Sequence, residues 1–120
     1  MNLEIKTLDN GIIAIEMNGR LDLQGGLDIE AQFKQHSETE KAGILVDMSN
    51  VDFISSNGMR LLISNAKALS KQGGKMVLYN PVKLVKSALE TAGFNQLIPI
   101  HDDYQSACSD LLETMSTHSP

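Results

Sequence analysis

The chain has no tryptophan and one cysteine, and aromatic residues make up only 4% of its 120 positions. So few flat rings argue against a stacking platform for bases or sugars. With Cys108 alone, no disulfide can form within the chain, which fits a reducing compartment. No apolar run approaches the ~18 residues of a membrane span. The opening stretch Met1-Asn2-Leu3-Glu4-Ile5-Lys6 has no apolar signal region, so a cytoplasmic location is expected. Positive charge is also scarce: 10 Lys and Arg face 15 Asp and Glu, for a net charge of −5. Phosphate backbones and anionic membranes call for clustered cations. The expectation is therefore no nucleic acid and no membrane, while a basic protein partner is permitted.

What is present is an ordinary hydrophobic content of 42%. A chain of this length suits one domain and buries about two-thirds of its unfolded surface, enough for a core without staples. Residues 3–8 alternate apolar and polar, the period of a half-buried strand. Asn10-Gly11 then signals a hairpin turn into a second strand over 12–17. The paired glycines Gly25-Gly26 read as the end of a loop over 18–26. A helix is expected over 27–36, with Leu27–Ala31 and Ile29–Phe33 as its apolar pairs, and a polar connection over 37–41.

Residues 43–48 form a short apolar run like a central strand buried on both faces. A second helix follows the serines at 55 and 56, with Met59, Leu62, Ile63, Ala66 and Leu69 on one face. Arg60, Ser64, Asn65, Lys67 and Lys71 lie on the other, and Gln72-Gly73-Gly74 ends it. A strand over 75–79 comes next. Pro81 then opens a third helix as its first residue, with Val82, Val85, Leu89 and Ala92 inward and Gly93 closing it. A short edge strand is expected over 97–100, made irregular by Pro99. Asp102 or Asp103 caps a last helix carrying Tyr104, Ala107, Cys108, Leu111 and Met115 on its apolar face. The order β-β-α-β-α-β-α-β-α implies a single α/β domain over 1–120. Its mixed sheet opens with an antiparallel hairpin and continues in β-α-β units, with about four helices. The ordered core covers 3–115, with a fraying tail over 116–120.

Enzyme signatures fail in turn. Gly73-Gly74-Lys75-Met76 resembles the end of a phosphate-cradling loop. However, Leu69 stands where glycine is needed, Met76 replaces the magnesium-holding hydroxyl, and a strand rather than a helix follows. His36, His101 and His118 have no His or Cys partner at metal-ligand spacing. Cys108 lies on an apolar helix stripe, the setting of a structural thiol. No cofactor, metal or catalytic group is expected, and Met48, Met59 and Met76 read as core fillers.

The stretch from Asp47 through Ser55-Ser56-Asn57-Gly58-Met59 resembles the signature of the STAS domain family, and more closely its stand-alone anti-sigma factor antagonists. Their pattern is an aspartate-ended strand, then an apolar segment, then Asp-Ser-Ser/Thr-Gly-Leu opening a helix. Gly19-Arg20-Leu21-Asp22 matches the family's Gly-x-Leu-Asp element. Gly73-Gly74, Asn80-Pro81 and Gly93-Phe94 also fall at family positions, so the resemblance spans roughly residues 3–115. Aligned on Gly58, the family's phosphorylated serine is Ser56. Ser55 stands in place of the motif aspartate, and Asn57 in place of the second Ser or Thr.

The resemblance implies a non-enzymatic switch. Unphosphorylated, it binds a kinase-like anti-sigma factor or related regulator. Phosphorylation of Ser56 by that partner releases it, and a serine phosphatase restores binding. The implied binding face combines Gly19, Arg20, Leu21 and Asp22 with Ser55, Ser56, Asn57, Gly58, Met59 and Arg60. A weak homodimer is a further expectation. The alternative is a constitutive adaptor of the same fold, such as a small subunit of a lipid-transport complex, in which Ser56 touches a partner unmodified. A ligand-binding module or small hydrolase would rest only on Cys108, His101 and the glycine pair.

Overall fold

The computed structural model describes residues 1–39 and 43–117. Five strands form one mixed sheet in the order β1-β2-β3-β4-β5: β1 (Asn2–Thr7), β2 (Ile13–Leu21), β3 (Gly43–Ile54), β4 (Lys75–Tyr79) and β5 (Ile100–His101). The hairpin β1–β2 is antiparallel and every later pair is parallel. Between the strands lie α1 (Leu23–Thr39), α2 (Ser56–Lys71) and α3 (Lys83–Thr91), and α4 (Tyr104–Thr117) closes the chain.

The pleat of the central strands divides the core in two. On β3, Ile44, Val46 and Met48 join Ile29 and Phe33 of α1, Leu62 and Leu69 of α2, and Val85 and Leu89 of α3. Leu45 points the other way, with Ile12 and Val77, onto Ala107 and Leu111 of α4. Three helices therefore cover one face of the sheet and α4 the other. A strand buried on both faces reads as a short apolar run, here interrupted within 43–48 only by the half-buried Asp47.

Several boundaries differ from expectation. The strand expected at 12–17 starts at Ile13 and continues to Leu21, absorbing Asn18-Gly19-Arg20 through two register shifts against β3. Helix α1 begins at Leu23, so Gly25 and Gly26 lie inside it instead of breaking it. The cause is a close approach: a Cβ on Gly25 would sit 1.9 Å from the Arg20 carbonyl oxygen. The strand expected over 43–48 continues as β3 to Ile54, because β2 extends alongside it.

Of the two apolar pairs in α1, Ile29 and Phe33 enter the core, whereas Leu27 is 58% exposed. Of the connection expected at 37–41, residues 37–39 continue α1, and residues 40–42 lie outside the described residues. Asn65, expected on the polar face of α2, is buried, and its Nδ2 donates to the Leu61 carbonyl at 2.8 Å. The glycine stop after α2 is a Schellman motif: Gly74 N–H donates to Leu69 O and Gly73 N–H to Ser70 O, each at 3.0 Å.

Pro81 is not the first residue of α3. Val82 caps that helix and is 40% exposed, and Lys83 begins it. Phe94–Gln96 form a 3-10 turn that the sequence did not signal, which shortens the last strand to Ile100–His101. Asp103 caps α4, accepting from the Ser106 N–H at 2.8 Å. Helix α4 runs to Thr117, beyond the start of the expected tail, and residues 118–120 lie outside the described residues.

Candidate functional site

Two helix N-termini converge where β2 and β3 end. Leu21 and Ile54 are paired in register, as are Arg20 and Phe53. Asp22 follows Leu21 directly, and its Oδ1 accepts from the Gly25 N–H at 2.8 Å, a side-chain cap for α1. Ser55 follows Ile54. Its backbone N–H donates to Leu21 O at 3.0 Å, and its Oγ accepts from the Gly58 N–H at 3.2 Å, the cap of α2. The two caps thus hang from adjacent ends of neighbouring parallel strands.

The approach of these elements is tight. A Cβ on Gly58 would lie 2.2 Å from Leu21 O and 2.8 Å from Leu21 Cγ. Glycines at 25 and 58 therefore let both helices press on the Arg20–Leu21 backbone. Around this anchor the surface is charged. The Arg20 guanidinium stacks over the Phe53 ring at 4.2 Å and its Nε lies 3.4 Å from Asp22 Oδ2. The Gly25 N–H, with help from Arg20 and against desolvation, holds the Asp22 carboxyl below the usual carboxylate range.

The two serines have different surroundings. Ser55 is half-buried and its hydroxyl is committed to the cap. Ser56 is the first residue of α2 and is exposed. Its hydroxyl makes no hydrogen bond among the described residues, while the open end of α2 lies beside it. Asn57 and Arg60 are exposed and Met59 is half-buried. Leu21 and Gly58, though expected on the binding face, are buried and act beneath it. Gly19 is half-buried at the register shift before Arg20, where a Cβ would lie 3.3 Å from Met1 Cα.

Sequence reasoning missed a groove of about 310 Å³ between α1 and α2. Asp22, Asn57 and Arg60 line it together with Leu23, Leu27 and Leu61. Leu23 is 60% exposed at the rim of this groove. The signal available was the second apolar pair of α1, Leu27–Ala31, which had no place in a core already filled by Ile29 and Phe33. Among the described residues, no group of three or more His, Cys, Asp or Glu side chains is placed to hold a metal ion. No helix among them is long and apolar enough to cross a membrane.

Comparison with known proteins matches a STAS domain to residues 3–107. The anti-sigma F factor antagonist of Paenibacillus polymyxa is 23% identical over 113 residues, covering 92% of this chain and 97% of its own. Among solved structures, an anti-sigma factor antagonist from Mycobacterium paratuberculosis superposes with a TM-score of 0.80 at 15% identity, covering 92% of each chain. The anti-sigma factor antagonist SpoIIAA in its unphosphorylated form gives 0.74 at 17% identity, covering 91% of this chain and 95% of its own.

Proposed function

The chain belongs to the STAS domain family, and on that premise we propose that it is a protein-binding switch of the anti-sigma factor antagonist kind, controlled by phosphorylation of Ser56. The observation that carries this reading is the division of labour at the corner. Ser55 is used up as the cap of α2, whereas Ser56 is exposed and directly precedes Asn57, which lines the groove with Asp22 and Arg60.

Unphosphorylated, this surface offers a partner a polar rim and two exposed leucines, Leu23 and Leu27. The partner is a serine-kinase-type anti-sigma regulator, and a serine phosphatase resets the switch. Phosphorylation adds about −1.5 to −2 charge at pH 7. The open N–H groups and the dipole of α2 favour an anion at that place, so the fold persists. Arg60, four residues along the same helix, is within the reach of an i,i+4 pair. The added charge acts outward: a partner closing over the corner would have to strip water from a dianion. Binding is then lost without unfolding, and the protein itself needs no catalytic group.

The test is to combine the chain with its candidate kinase and ATP, using wild type, Ser56→Ala and Ser56→Asp. Phosphate on wild type but not on Ser56→Ala, with partner affinity lowered in Ser56→Asp, is the expected result. Phosphate placed elsewhere, or an Asp variant that binds as tightly as wild type, sinks the reading.

A further inference from the structure

The sheet ends differently at its two margins. Strand β5 is two residues long and follows Pro99, so that edge offers little to a further strand. Strand β1 is six residues long, carries no proline, and its pairing with β2 runs without a register shift from Asn2 to Thr7. Among the described residues no strand pairs with its outer side. Such an edge presents a row of unpaired backbone donors and acceptors, a template for another strand.

The side chains of β1 specify which strand fits. Leu3 and Ile5 turn toward the helix-covered core but remain only half-buried. Glu4 and Lys6 are exposed on the opposite face. Glu4 stands directly across from Glu16, and Glu16 stands across from Asp47 on β3. Three carboxylates thus occupy one row. Glu16 accepts from Asn50 Nδ2 and Asp47 from Ser49, while Glu4 at the open edge has no such donor among the described residues and faces a like charge, which is destabilising. Lys6 faces Ala14 on β2. Neither Glu4 nor Lys6 has an ion-pair partner among the described residues.

We propose that the outer edge of β1 is a self-association surface, on which a second copy of this chain adds its own β1 in antiparallel register about Ile5. In that register residue 5 meets residue 5, residue 3 meets residue 7, and residue 4 meets residue 6. Each Glu4 then gains the partner copy's Lys6 directly opposite, twice over by symmetry. The cation enters the row where the three carboxylates lack one. On the other face the two Ile5 side chains meet and cover each other. The pairing joins the two sheets into one and leaves the Ser56 corner at the far end of β2 uninvolved. A six-residue edge covers much less than the ~1,600 Å² of a standard stable interface, so the dimer is weak and forms at high protein concentration.

Sedimentation velocity on the full chain, from about 10 μM to about 1 mM, tests this. Wild type should pass from monomer toward dimer across that range. Glu4→Lys and Lys6→Glu, each alone, place like charges opposite each other twice and should weaken dimerisation about tenfold or more. Two further samples should regain it: the double variant E4K/K6E, and an equimolar mixture of the two single variants, which are complementary only to each other. Circular dichroism and a urea midpoint for each variant separate loss of pairing from loss of fold. A wild type that stays monomeric throughout overturns the proposal. So does a dimer indifferent to the single swaps, or one that the mixture of single variants does not restore.

Discussion

At position 55 the chain has serine where the family pattern has aspartate, and the geometry of the corner gives the physical reason the fold tolerates it. The position is the N-cap of α2, a role that serine and aspartate fill about equally well. The substitution keeps the hydrogen bond to Gly58 N–H and removes a negative charge from the neighbourhood of Ser56. Ser55→Ala should cost about 1 kcal/mol in urea unfolding, whereas Ser56→Ala, which removes no hydrogen bond among the described residues, should stay within about 0.5 kcal/mol of wild type. Equal losses from the two would mean that the cap is shared. Gly58 is the stricter position. An alanine there meets Leu21 O at 2.2 Å, so Gly58→Ala should destabilise by about 3 kcal/mol. A stability close to wild type would show that α2 can shift outward freely.

At the scale of elements, α4 depends on an ionic attachment as well as on its apolar stripe. Asp110 pairs with Lys75 at the start of β4 and with His101 Nε2 of β5 at 2.8 Å. Burial acts to raise the Asp110 carboxyl, but the hydrogen bonds from Lys75 and His101 prevail and hold it below the usual carboxylate range. A carboxyl whose folded value lies below its unfolded value contributes stability at pH above the unfolded value. That contribution is lost as acid protonates it in the fold. Stability should therefore fall as pH drops from about 5 toward 2. Asp110→Asn should be less stable near neutral pH and should lose less than wild type over that acid range. Parallel acid profiles for the two proteins would assign the effect elsewhere.

The same scale shows what the sequence made legible. Strand β4 was readable to the residue, and so was the glycine stop of α2. Both are written in local chemistry, an apolar run and a paired-glycine cap. The start of α1 was not, because Gly25 carries a close-approach requirement set by Arg20, which lies outside the helix. Asn65 looked solvent-facing by period but bonds back to Leu61. Val82 looked inward but takes the cap position because α3 starts late. The corner serines were legible as a helix start. Only the pairing of Ser55 with Gly58 and Leu21 assigned the cap to one of them. The groove was hidden because two apolar pairs on one helix compete for one core, and period alone does not say which pair enters it.

For the whole molecule, the sheet brings Arg20–Asp22 and Ser55–Arg60 to one end, with α4 on the opposite face from α1–α3. Nothing at that end requires the fold to change when charge is added. Ser56→Asp should therefore leave the thermal midpoint unchanged or slightly raised, since an acidic residue in the first turn is worth about 0.3–1 kcal/mol. A large drop in melting temperature would point to control by unfolding instead of by surface charge. Replacing Leu27 with aspartate should weaken partner binding at least tenfold by placing a charge in the groove, with the fold intact. An unaltered affinity would remove the groove from the binding face.

The most direct measurement is site-resolved mass spectrometry on the chain drawn from its own cells, divided into partner-bound and free pools. Phosphate on Ser56 in the free pool and none in the bound pool is the predicted result. Equal Ser56 occupancy in the two pools, or phosphate confined to Ser55 or another hydroxyl, would contradict the account.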